Sequence, residues 1–247
     1  MAQDLRMQTA GVGRRAAAID EGLRAYMNKV YGLMATGMLI TGLAAWAIAG
    51  LAVAPDGNLT QLGHAIFVSP LKWVIMFAPL AVVFGFGAAL NRLSVSGATT
   101  VFYLFSALMG VSISWIFLAY TTVSIIQTFF VTAIAFASLS IYGYVTKRDL
   151  SGLGTFLMMG VVGLIVASLV NLFMQSSAMS FVISFLGVLI FAALTAYDTQ
   201  RIKNMYLQMA QSDADFLGKA AIMGALQLYL DFLNLFMFLL QFLGNRE

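Results

Sequence analysis

Asp231 is the residue on which any chemistry would turn. It lies inside Ala220–Gly244, AAIMGALQLYLDFLNLFMFLLQFLG, a run long enough to cross a bilayer. A carboxylate at membrane depth costs about 2.5–3.5 kcal/mol on insertion scales, so such groups usually mark ion or proton pathways. Gln227, Asp231, Asn234 and Gln241 follow one another at offsets of 4, 3 and 7, which puts them roughly along one helix face. The opposite face is Leu and Phe. The pattern predicts a spanning helix with one polar stripe turned towards protein or water. The chemistry open to it is proton binding, or passage of a hard cation such as calcium, which takes carboxylate and carbonyl oxygens as ligands. An Asp satisfied by neighbouring amides or hydroxyls, with a purely structural role, is the competing reading.

Two more charges lie near the ends of apolar runs. Asp198 follows a span in TAYDTQRIKNMY, and Arg92 ends another in FGFGAALNRLS. Counting from the outer turn near Ala178 puts Asp198 about 30 Å deep, at the inner edge, while Asp231 counts to roughly 18 Å from the outer edge. On this count the two carboxylates are offset by ~10 Å. A direct pair then needs tilt or a shifted register. Spacing alone makes Asp198 a solvated boundary charge and Arg92 an interfacial anchor. The alternative for Arg92 is a bidentate ion pair with Asp198 across helices.

Other chemistries are set aside by residue type. The chain has no Cys and a single His, His64, in a loop. Thiolate chemistry, a His-based metal site and a Ser-His-Asp hydrolase therefore have no basis. Gly85-Phe86-Gly87 lacks the third glycine and the preceding strand of a dinucleotide fingerprint, and there is no Walker A sequence. The intramembrane carboxylates lack a His, Cys or Lys at catalytic spacing. The chain is expected not to be an enzyme, to carry no cofactor and to bind no nucleic acid.

The elements that must position these residues follow from hydropathy. Of 247 residues, 61% are hydrophobic and 9% charged, with mean hydropathy +0.92. Soluble domains run at about 25% charged, so the class is a polytopic membrane protein. Seven apolar segments emerge at Val30–Val53, Leu71–Leu90, Thr99–Tyr120, Val123–Val145, Leu153–Met174, Met179–Tyr197 and Ile222–Leu243. Tight hairpins are predicted at Thr121-Thr122 and near Gln175–Ala178. Asp198–Gln211 is expected to extend the sixth helix beyond the bilayer. Residues 1–29 read as a polar cytoplasmic tail, with Asp20–Lys29 as a surface helix, and residues 30–247 as the transmembrane domain. The first apolar run is too long for a signal-peptide core. With the N-terminus inside, Arg6, Arg14, Arg15, Arg24, Lys29, Arg92, Lys147, Arg148, Arg201, Lys203 and Lys219 fall on the inner side. Only Lys72 and Arg246 fall outside. That asymmetry fixes the expected orientation.

Three blocks now carry a resemblance. YGYVTKRDLSGLGTFLMMG (Tyr142–Gly160), AYDTQRIKNMY (Ala196–Tyr206) and LQLYLDFLNLFMFLLQFLG (Leu226–Gly244) resemble the Bax inhibitor-1 family, and RAYMNKVYGLMATGMLITGLAAW (Arg24–Trp46) looks like its first helix. The similarity runs from Arg24 to the C-terminus. It implies an all-α integral membrane fold in which six helices surround a central seventh. It also implies pH-sensitive calcium leak, and suppression of cell death in eukaryotes. The family's aspartate dyad maps to Asp198 and Asp231, and its latching arginine, more loosely, to Arg92. Gln227 and Asn234 would support the pair. The short charged tail suggests a bacterial inner-membrane relative.

The resulting expectation is a pH-sensitive calcium leak channel or exchanger, with Asp198 and Asp231 as the ion and proton site and Arg92 gating it. Two close carboxylates repel and titrate as a unit. Acid would neutralise Asp198 and release Arg92, yet also remove the charge that attracts calcium. The alternative is a non-transporting regulator of a membrane partner such as a quality-control protease, contacted through the N-terminal tail. Deleting residues 2–22 separates the two: lost partner binding with intact flux favours the regulator.

Overall fold

The computed structural model describes residues 2–210 and 213–245, with side chains described from Ile19 onward except Asn91. Gln211 and Arg246, used above in the helix extension and the charge count, lie outside the described residues. Among those residues, seven helices are long and apolar enough to cross a membrane. They are α1 (Ala2–Ala52), α2 (Leu71–Ala89), α3 (Val95–Ile113), α4 (Thr122–Val145), α5 (Ser151–Met174), α6 (Ser177–Met209) and α7 (Ala214–Leu243). After a break at Ser114-Trp115, one further turn, Ile116–Ala119, continues α3.

The helices start where capping chemistry dictates. Ser94, Thr121, Ser176 and Asp213 each stand just ahead of a helix, and their side-chain oxygens accept a backbone N–H from the first turn. Hairpins form at Thr121 and at Gln175, as the turn signals predict. Gln175 turns the chain with left-handed backbone, φ 50°.

The spans run longer than hydropathy predicts, mostly at the end that carries Lys147, Arg148, Arg201 and Lys203. The sixth helix continues unbroken to Met209, and the seventh begins at Ala214, ahead of Ile222. Residues 20–29 belong to the same helix as the first span, and Leu23, Tyr26 and Met27 within them are buried. The bundle therefore begins ahead of Val30. A helix continues wherever its backbone bonds are made, whereas an apolar count stops at the first charges.

The C-terminal helix is the centre. Two-thirds (67%) of its most apolar window is buried, against 11–33% for the other six. Helices α1, α3, α4 and α6 pack against it, whereas α2 packs mainly on α3 and α5 mainly on α6. Small residues allow the close crossings. A Cβ at Gly143 in α4 would run into the Ala196 carbonyl of α6, and one at Gly110 in α3 into the Thr41 carbonyl of α1. Buried hydroxyls tie the same helices together. Tyr229 of α7 is fully buried, with its hydroxyl 2.6 Å from Thr41 Oγ1 and its ring edge-on to Phe102 and Phe105.

Candidate functional site

Three contacts set the register of α6 against α7. The Phe238 ring lies over Gly187, Ile202 lies over Gly224, and Gln227 reaches Asp198. The helices are therefore antiparallel, and Asp198 stands level with Gln227. Asp231 is four residues further along α7, ~6 Å away in level. The side chains close this gap because a Cα–Cβ bond tilts towards the N-terminus of its own helix. In antiparallel helices the tilts are opposed, and here each carboxylate leans towards the other. The ~10 Å offset expected from counting assumed that both helices end at the same level. The contacts displace that register by about one turn.

The carboxyl groups of Asp198 and Asp231 lie within hydrogen-bonding reach of each other. Both residues are buried, at 3% and 5% exposure. Gln227 Nε2 donates to Asp198 Oδ1 at 2.7 Å. Asp231 Oδ2 is buried and has no hydrogen-bond partner among the described residues. Two acids therefore share a low-dielectric site with one donor between them, and one proton held between the acids would supply the missing donor. Arg201, one turn beyond Asp198 on α6, is the cation whose field reaches Asp198.

The other expected residues divide. Arg92 sits in a single turn, Leu90–Arg92, at the end of α2, exposed and without an ion pair to Asp198. Asn234 donates to its own Leu230 carbonyl at 2.8 Å and takes no part in the pair. Gln241 lines a separate polar cleft of about 470 Å³ at the far end, with Ser168, Asn171 and Gln175. Of the predicted stripe, then, only Gln227 and Asp231 face Asp198. No group of three or more His, Cys, Asp or Glu side chains gathers among the described residues. Calcium takes six to eight oxygens, so a pair with one amide suits a passing ion better than a resident one.

The residues that follow Asp198 tie α6 to α4 and to the α4–α5 loop, and spacing did not reveal them. Thr199 lies beside Ser140 of α4, Oγ to Oγ 3.4 Å. Gln200 clamps the α4–α5 loop: its Oε1 accepts from Leu150 N–H and its Nε2 donates to the Arg148 carbonyl, both at 2.8 Å. Lys203 Nζ donates to the Tyr144 carbonyl at 2.6 Å and sits over the Tyr144 ring. The available signal was the density of polar residues, TQRIK, immediately after a buried acid. Gln200→Ala removes both loop bonds. Trypsin should then cut at the exposed Lys147 and Arg148 on the order of tenfold faster than in the parent chain. An unchanged rate of cutting would mean the loop is held by something else.

Comparison with known proteins follows the same outline. The family model for the inhibitor of apoptosis-promoting Bax1 matches residues 23–247. Inner membrane protein YbhL of Escherichia coli (strain K12) is 45% identical over 92% of this chain and 94% of its own length. A protein of Rickettsia prowazekii is 44% identical over 92% of each chain, and YrjE of Lactococcus lactis 36% over 91% and 92%.

Proposed function

Because the chain belongs to the Bax inhibitor-1 family of membrane proteins, we propose that it lets calcium cross the membrane under the control of protons held by Asp198 and Asp231. The observation that carries this reading is the pair itself: two buried carboxyls in reach of each other, one oxygen without a donor. With a proton between them the pair has a single net negative charge and a satisfied hydrogen bond. Without it, two like charges share one desolvated site, and their repulsion is relieved by separating α6 from α7 or by admitting a divalent cation. With both acids protonated the pair is neutral and has no hold on a cation. Flux therefore need not change in one direction with pH.

In this reading Arg92 is a latch that is off in the conformation described, and closing it means swinging the Leu90–Arg92 turn towards Asp198. The basic ends of the helices face the cytoplasm, in keeping with the excess of Lys and Arg there. The name of the E. coli relative suggests a bacterial inner membrane.

The test is purified protein in liposomes with a calcium dye inside, read at external pH 6, 7 and 8. Flux above that of protein-free liposomes, changing several-fold across the series, is expected. Flux equal to the protein-free control at every pH would sink the proposal.

A further inference from the structure

Helices α1 and α4 leave a cleft between them. Each packs on α6 and α7, and between them lie three cavities of about 510, 490 and 280 Å³. The cavities follow α1 from Arg24 to Ala45, a rise of ~30 Å, which is the full thickness of a bilayer's hydrocarbon. The two deeper ones share Met38, Gly42 and Phe129 as walls and have Phe232 or Phe236 of α7 as floor. Their surface is apolar throughout.

The largest cavity differs in its lining. Arg24, Asn28, Tyr31 and Tyr144 line it together with Phe136 and Ala137, so side chains that carry a guanidinium, an amide and two phenols border the same cavity as an apolar wall. Arg24 is exposed and forms no ion pair among the described residues. It stands at the basic end of the bundle.

The geometry points to a binding site for an anionic glycerophospholipid, with its phosphate on Arg24 and an acyl chain laid along the α1–α4 cleft. Charge complementarity selects the headgroup: a guanidinium without an ion pair among the described residues, on a wall shared with amide- and hydroxyl-bearing side chains, matches a phosphate diester. The walls select the tail: beyond these polar side chains the lining is Met, Leu, Ala, Gly and Phe along α1 and α4, continuous over ~30 Å of α1, which is the apolar path an extended acyl chain follows. The cavity floor includes Ser140, the residue against which Thr199 rests, so a seated lipid would lie one side chain away from the turn that carries Asp198.

The full chain is reconstituted in nanodiscs of mixed phosphatidylglycerol and phosphatidylcholine, and retained lipid is weighed by native mass spectrometry after release. Three variants are compared with the parent: Arg24→Glu, Ala137→Trp, which fills the cleft from its lipid-exposed side, and Arg148→Glu, a charge reversal at the same end outside the cleft. The expected result is retention of phosphatidylglycerol over phosphatidylcholine. Occupancy should fall on the order of tenfold in each cleft variant and hold in Arg148→Glu. Circular dichroism confirms that each variant is folded. The proposal is overturned if both cleft variants keep the parent occupancy, if Arg148→Glu loses as much lipid as they do, or if phosphatidylcholine is held equally well. A dimer mass that disappears with Ala137→Trp would put a second copy of the chain in the cleft and overturn it likewise.

Discussion

Asp231→Asn flattens the pH profile of calcium flux. Asparagine keeps the shape of the side chain and cannot lose or gain a proton near neutrality. Its amide can donate to Asp198, so it mimics the pair with one proton permanently in place. A single titrating proton can change flux by at most about tenfold per pH unit. The parent profile should be the steeper of the two, while Asp231→Asn should vary by less than about twofold between pH 6 and 8. Asp198→Asn should flatten the profile too, but at a different level. It keeps an acceptor for Gln227 Nε2, now 2.7 Å from Asp198 Oδ1, and removes the charge that faces Arg201. Proteoliposome flux of both variants against pH makes the measurement. If both retain the parent flux and the parent profile, the pair is not the site.

The fold was legible in the sequence because lipid enforces a simple rule, that about 20 apolar residues span the hydrocarbon. Each of the seven predicted runs coincides with a spanning helix, the third across the break at Ser114-Trp115, and the polar stripe of Ala220–Gly244 marks the helix that is central. What the rule left out is the part of a helix outside the hydrocarbon, such as the last turns of α6 up to Met209. In the structure Ser94, Ser176 and Asp213 cap three of the helices. They mark helix starts more closely than hydropathy does, because a cap answers to the backbone donors of the first turn.

The site was legible in part. Residue types and the family blocks singled out Asp198 and Asp231, but depth counting kept them apart, because it knows the length of each helix and not the level of one against the next. That level is set by Gly187 under Phe238 and Gly224 under Ile202, two contacts between helices that no spacing within a helix contains. Asn234 failed for a different reason. It lies on the correct face, but its amide finds the Leu230 carbonyl one turn back on its own helix, a local bond always available to a short polar side chain. Arg92 sits in the turn that ends α2, and α2 packs mainly on α3.

Asp231→Asn should also make the protein more stable, and this separates a functional acid from a structural one. A buried oxygen without a donor costs about 1–3 kcal/mol, and Asp231 Oδ2 is such an oxygen among the described residues. At a pH high enough to strip the shared proton from the pair, replacing the carboxylate with an amide removes a charge from a desolvated site and supplies a donor to Asp198, so there the apparent melting temperature should rise by several degrees, on the order of 1–3 kcal/mol. Where the proton is held, variant and parent have the same charge and donor, and the gain should vanish. Gln227→Leu acts in the opposite sense. It strips Asp198 Oδ1 of the amide donor it has at 2.7 Å and leaves a second buried carboxylate oxygen unpaired, at a loss of about 1–3 kcal/mol. Opposite signs from two neighbours one turn apart on α7 are what a site held for function at the expense of stability would give. Thermal unfolding of both variants in the same detergent reads the signs directly. If Asp231→Asn lowers the melting temperature as far as Gln227→Leu does, the carboxylate is holding the bundle together, and the case for a proton-binding role falls with it.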